Sequence, residues 1–235
     1  MSAPFPLRVL KELTKPVVDA VQLAKHKVRW HQANTHNNTT ANTVFPVERV
    51  TVGAHTYGPL NLHFFGHPAE SIQIGSLCSI AADVHFLAGG EHPTNRPTTF
   101  PLNHYFADRS DIGSTPRGPI RIEDDVWIGR GCLILSGVTI GQGAVIGAGS
   151  IIARDVPAYA VYAGGRVVRY RFDEPTVARM SQLDWNQIGP DELTKNLELL
   201  TAALDEHFLE SPLFGSGASE DESATTQRGT AKDTR

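Results

Sequence analysis

Residues Ile120–Asp155 read IRIEDD, VWIGRG, CLILSG, VTIGQG, AVIGAG, SIIARD, six consecutive hexapeptides with isoleucine at 122, 128, 134, 140, 146 and 152. Two residues before each of these isoleucines stands an aliphatic or small residue: Ile120, Val126, Cys132, Val138, Ala144, Ser150. A helix repeats every 3.6 residues and a strand every 2. A period of six belongs to neither; it is that of a parallel β-helix, in which three short strands make one coil. In Val138–Gly143, alternation turns Val138 and Ile140 inward and Thr139 outward, and the glycines that follow turn a corner. The sequence therefore predicts a triangular prism with an isoleucine ladder inside, narrow where Cys132, Ala144 and Ser150 face in.

Faint coils at Val50–Gly53 and Thr56–Gly58, and clear ones at Ile72–Leu77, Cys78–Ala81 and Val84–Phe86, extend this pattern towards the N-terminus. Between Leu87 and Ile120 the register breaks for AGGEHPTNRPTTFPLNHYFADRSDIGSTPRGP, which is rich in proline. A stretch that long without a repeat of its own marks a functional excursion or disorder. Phe100, Leu102, Tyr105 and Phe106 give it something to pack, so an ordered excursion is expected. The domain reading is a helical and loop segment over 1–43, a β-helix over 44–172 with its excursion at 88–119, helices over 173–214, and a disordered polar tail over 215–235. Within the first segment, Val9, Leu13, Val17, Val21 and Val28 suggest one or two short helices split near Pro16, followed by a polar loop over 31–43. The fold class is all-β with flanking helices.

The 235 residues are 40% hydrophobic and 20% charged, with a formal net charge of −4. That balance implies no general affinity for nucleic acid or anionic membrane. No apolar run is long enough for a membrane span. Met1–Leu13 is broken by Pro4, Pro6, Lys11 and Glu12 and does not read as a signal peptide. Both cysteines, Cys78 and Cys132, fall on inward coil positions, as buried free thiols in a reducing, cytoplasmic setting would.

The segments DVWIGRGCLILSGVTIGQGAVIGAGSIIARDVP and VVRYRF resemble the hexapeptide-repeat acyltransferases. With AGGEHPTNRPTTFP between coils they resemble the xenobiotic acetyltransferase branch, which holds the streptogramin and hexapeptide-type chloramphenicol enzymes and similar polysaccharide O-acetyltransferases. The resemblance implies a left-handed coil, a homotrimer with active sites between subunits, and acetyl-CoA as donor, with no metal. It places the catalytic histidine at His92, a few residues before Thr99-Phe100-Pro101. The chemistry wants an imidazole there for its own reasons: a hydroxyl needs a base with pKa near neutrality to attack a thioester.

Other positions follow from the same resemblance or from the coil pattern. Tyr57 matches an acceptor-pocket tyrosine, with coil packing as the other reading. Trp127 sits outward and suits a pocket wall or a subunit contact. Glu91 is a candidate to contact the acceptor or orient the imidazole, a task a backbone carbonyl can do equally. For the cofactor, Arg130 and Ala148 match corners that contact pantetheine, Ala153 and Arg154 a pair near the nucleotide, and Arg166 and Arg169 basic positions beyond the last coil. The family commonly reads AGNPAKVI at that point. This chain reads Ala163-Gly164-Gly165-Arg166, without the Asn-Pro.

The GGEH and TYGPLN segments resemble the polysaccharide enzymes, so a sugar hydroxyl is the expected acceptor. An antibiotic hydroxyl is the alternative, and a non-catalytic sugar-binding trimer a further one. A zinc hydratase on the same architecture needs histidines converging from neighbouring coils, and Ile120–Asp155 contains none.

Overall fold

The computed structural model describes residues 5–107 and 115–214. The expected tail, 215–235, lies outside them. Residues up to Val177 form one compact unit and those from Ala178 a second.

The first unit opens with helix α1 (Phe5–Ala33). Its strands are β1 (Asn38–Ala41), β2 (Val50–Val52), β3 (Tyr57–His63), β4 (Ile72–Ile74), β5 (Ser79–Ile80) and β6 (His85–Leu87). After the excursion come β7 (Ile120–Ile122), β8 (Trp127–Ile128), β9 (Leu133–Ile134), β10 (Thr139–Ile140), β11 (Val145–Ile146), β12 (Ile151–Ile152), β13 (Ala160–Ala163) and β14 (Arg166–Tyr170). Three parallel ladders form the walls. The first runs β2-β4-β7-β10. The second runs β3-β5-β8-β11-β13, and the third β3-β6-β9-β12. Strand β3 serves two walls: Tyr57 pairs with Ser79, while Asn61–His63 pair with His85–Leu87.

Register proves the coil. Arg121 pairs with Thr139, Trp127 with Val145 and Leu133 with Ile151, each three hexapeptides on. The pairings that bridge the excursion, such as Gln73 with Arg121, stay in phase, so the excursion leaves and rejoins without disturbing the stack. The six isoleucines of the ladder are all at most 3% exposed, and their small partners Cys132, Ala144 and Ser150 are buried too. Leu77, Asp83 and Asp125 adopt the left-handed backbone at corners where other coils have Gly131, Gly137, Gly143 or Gly149. The coil imposes that conformation on whichever residue stands there, at a steric cost glycine avoids.

The last coil ends in a hairpin. Gly164 and Gly165 both have positive φ, 58° and 82°, and Ala163 pairs directly with Arg166. A two-residue loop with both central φ positive is the turn that matches strand twist, and glycine is its usual occupant. The absent Asn-Pro is thus replaced by a tight turn that sends β14 back antiparallel to β13. Arg171 then locks this end: its guanidinium meets Asp125 at 3.1 Å, donates to the Gly143 carbonyl at 2.7 Å and lies over the Tyr159 and Phe172 rings.

Three expectations need correction. The chain is not all-β in the sense of a coil with minor helices, because α1 alone is 29 residues long. Nor is α1 split at Pro16, which lies inside it. A proline deletes one helical hydrogen bond and strains the turn before it, but the helix continues on both sides. Finally, 31–43 is not all loop. Asn38–Ala41 is a strand on β3, with Thr39 and Ala41 buried in alternation. Trp30 donates from Nε1 to Thr39 Oγ1 at 3.0 Å and closes that end of the coil.

The second unit contains the end of α3 (Glu174–Met180), then α4 (Pro190–Lys195), α5 (Leu197–Thr201) and α6 (Glu206–Leu209). The expected helices are therefore present but short. Met180, Leu183, Ile188, Phe208 and Leu213 are buried, and Arg179 lies 4.4 Å over the Phe214 ring.

Candidate active site

The excursion leaves the prism at the corner between the third and first walls. Its exit is tight. A Cβ on Gly89 would stand 2.5 Å from Glu70 Oε1, and one on Gly90 2.9 Å from the Phe65 ring. Glu70 is buried and cannot easily retreat, since its other oxygen accepts from Phe65 N and Gly66 N at 2.8 and 3.1 Å. The Gly-Gly of GGEH is required by this packing.

The next two residues divide the work. Glu91 accepts from Ser136 Oγ on the neighbouring coil. Its backbone carbonyl accepts from Thr115 N at 2.9 Å, and Ser136 Oγ in turn accepts from Arg117 N at 3.0 Å. Both ends of the excursion are thus tied to one corner. His92 stands free of that network and is exposed. Its Nδ1 lies 2.7 Å from the Thr99 carbonyl oxygen. A carbonyl only accepts, so Nδ1 carries the proton and Nε2 of the neutral ring is left with its lone pair. Of the two orienting partners open to His92, the geometry supplies the backbone carbonyl. Glu91 is spent on Ser136.

Beyond Thr99 the arm folds on itself. Phe100 stacks obliquely on Tyr105 of α2 (Leu102–Phe106), ring centroids 5.0 Å apart. These aromatics remain largely exposed, Phe106 at 78%.

Tyr57 and Trp127 share one outward row of the second wall. Each pairs with Ser79, and each is more than half exposed. Two rungs separate them, about 10 Å at strand spacing. Arg130 and Ala148 stack at the corner between the second and third walls, with Gly149 N donating to the Arg130 carbonyl at 2.8 Å. Arg130 is held by Asp83 through contacts of 2.9 and 2.7 Å. Ala153 and Arg154 lie exposed at the excursion's own corner, one coil beyond Ser136, and Arg166 and Arg169 are exposed on β14. The candidate residues therefore fall into separate groups on one chain. The corner of His92 and that of Arg130 and Ala148 lie at opposite edges of the third wall.

One feature escaped the sequence reading. On the third wall His63 Nε2 lies 2.9 Å from His85 Nδ1. The ring centroids are 5.2 Å apart and the planes differ by 24°. The centroid separation exceeds the N···N distance by about two ring radii, so the rings meet edge to edge through an N–H···N bond rather than lying face to face. Burial, then the neighbouring His85, lowers the His63 pKa. The two are 22 residues apart in sequence, and only the stacking of coils brings them together. The thiol of Cys78 is pushed up to about 12 by burial and stays protonated at neutral pH. Among the described residues no three His, Cys, Asp or Glu side chains are grouped to hold a metal ion.

Comparison with known proteins is consistent with the coil. Residues 119–154 match the family model described as bacterial transferase hexapeptide, six repeats. A probable macrolide acetyltransferase of Lysinibacillus sphaericus is 32% identical over 148 residues, covering 60% of this chain and 82% of the relative. A chloramphenicol acetyltransferase of Agrobacterium fabrum is 32% identical over 144 residues, covering 57% and 68%. The solved structure of a hexapeptide-repeat-containing acetyltransferase from Vibrio cholerae superposes with a TM-score of 0.47 at 22% identity, covering 73% of this chain and 96% of that one.

Proposed function

The chain belongs to the hexapeptide-repeat acyltransferases, in the branch of the chloramphenicol and macrolide acetyltransferases, and from that premise we propose that it moves an acetyl group from acetyl-CoA to a hydroxyl of a sugar or cell-surface polysaccharide precursor. His92 is the general base. The observation that carries this reading is the Nδ1–H bond to the Thr99 carbonyl, which leaves Nε2 as the basic nitrogen on an exposed, tethered arm.

The steps balance through that one atom. Nε2 takes the proton of the acceptor hydroxyl as its oxygen attacks the thioester carbon. The C–O bond forms, the C–S bond breaks, and the imidazolium returns the proton to the departing sulfur. Throughout, Nδ1–H stays on the Thr99 carbonyl, which holds the ring in place.

The active unit is a homotrimer of left-handed coils. The separation of His92 from Arg130 and Ala148 across the third wall supports a site shared between copies. So do the exposed Trp127 and Ile151, at 56% and 58%. In this arrangement the backbone at Arg130 and Ala148 borders the pantetheine arm, and Ala153, Arg154, Arg166 and Arg169 lie towards the phosphates of CoA. The exposed guanidiniums fit an anionic nucleotide. Tyr57 and Trp127 form the aromatic floor for the acceptor.

A second reading, acetylation of an antibiotic hydroxyl, is favoured by the names of the two relatives. A CoA-release assay across nucleotide sugars, free sugars, chloramphenicol, a macrolide and a streptogramin separates the readings. Turnover confined to the antibiotics rejects the sugar acceptor. No turnover with any acceptor, in protein shown to bind acetyl-CoA, rejects both.

A further inference from the structure

We propose that α1 is a surface anchor that docks this protein on an anionic phospholipid bilayer. The helix is held to the coil by one side of its last third only. His26 and Trp30 are buried, both edge-on to Phe45 at 4.5 and 5.1 Å, with Leu23 half-buried. At 100° per residue, Val9, Leu13, Val17, Val21 and Val28 form a continuous stripe with Ala20 and Ala24 between them. This stripe points away from the coil, and its five large residues are 43–72% exposed. That reverses the ordinary arrangement, in which a surface helix turns its apolar stripe to its own core. Most helical stability in proteins comes from packing such a face, and here nothing among the described residues of the first unit packs it.

Charge identifies the occupant. The helix carries six Lys and Arg against two carboxylates, a net of +4 within a chain of −4. At the same spacing Lys27 stands on one edge of the stripe and Lys25 just beyond the other, while Lys15, Arg29, Glu12 and Asp19 face away from it. An apolar face with cationic edges suits the plane of a membrane interface, where the edges meet anionic headgroups. No described helix is long and apolar enough to cross a membrane, so α1 lies on the bilayer rather than through it. A second copy of α1 suits the stripe less well. Paired helices need edges of opposite sign for their flanking contacts, and these edges carry the same sign. The proposal is independent of which acceptor the enzyme uses.

The test is co-sedimentation of the full chain with vesicles of phosphatidylcholine containing about a third phosphatidylglycerol, against pure phosphatidylcholine vesicles. The chain is expected to pellet with the anionic vesicles and far less with the neutral ones. Leu13→Glu/Val17→Glu is expected to weaken binding by about tenfold or more, and Lys25→Glu/Lys27→Glu by several-fold, as does raised salt. Both variants alter exposed side chains, so both should keep the parent's melting temperature and CoA-release rate. The proposal is overturned if the parent stays in the supernatant with both vesicles, or if both variants pellet as the parent does. It is equally overturned if the stripe variant loses oligomeric state in lipid-free sedimentation while the parent shows no preference for anionic vesicles. That result would assign the stripe to a second copy.

Discussion

At the scale of single residues, the chemistry rests on one imidazole and one carbonyl. His92→Ala removes the base and touches no buried contact, so acetyl transfer is expected to fall by about 10²–10⁴ while the melting temperature stays within a degree or two. Steady-state CoA release together with a thermal melt checks this; turnover above about a third of the parent's rejects His92 as base. The His63–His85 pair makes a prediction of opposite kind. Burial and the neighbouring imidazole lower the His63 pKa from its ordinary 6.5. Below about pH 6.5 the unfolded chain therefore binds more protons at this residue than the folded one, and stability falls as pH drops towards the folded pKa. His63→Gln is expected to flatten the acid limb of melting temperature against pH between about 7 and 5, with the rate at neutral pH little changed.

At the scale of elements, the exit of the excursion and the final hairpin set where charged and basic groups stand. Gly89→Ala drives a methyl into the buried carboxyl of Glu70. The arm must shift at its root, so kcat/KM is expected to fall at least several-fold while the coil melts within a few degrees of the parent. A displacement of about 1 Å in a catalytic group is enough for such a loss. If Gly89→Ala instead unfolds the coil, the packing at Glu70 serves the core rather than the arm. The Gly164-Gly165 turn puts Arg166 and Arg169 on an exposed antiparallel strand. Replacing both with alanine is expected to raise the KM for acetyl-CoA several-fold with a smaller change in kcat, since contacts remote from the reacting carbon stabilise ground and transition states alike. An unchanged KM would place the nucleotide elsewhere.

At the scale of the whole molecule, walls that bury apolar side chains inside still carry large apolar groups outside. Ile151 is 58% exposed on the third wall, beside its half-buried ladder neighbour Leu133. In the proposed trimer such a residue is covered by the next copy. Ile151→Lys is expected to shift sedimentation towards smaller species and to lower turnover in parallel; a trimer of unchanged stability and activity would show that this wall faces solvent.

The six-residue repeat determined by itself that this chain coils, which isoleucines face inward, and where the register breaks, because alternation plus a fixed corner spacing leaves each hexapeptide one way to bury its apolar pair. The residues GGEH and Thr99 were also legible, as a loop bearing a histidine. What closes on Nδ1 was not, because a backbone carbonyl has no sequence signature. The meeting of His63 with His85, the clamp of Arg171 on Asp125, the strand hidden in Asn38–Ala41 and the outward turn of the α1 stripe were decided only by the tertiary structure. Each depends on which coil stacks on which, or on which side of a helix is already taken. Those contacts join residues far apart in sequence and leave no period behind.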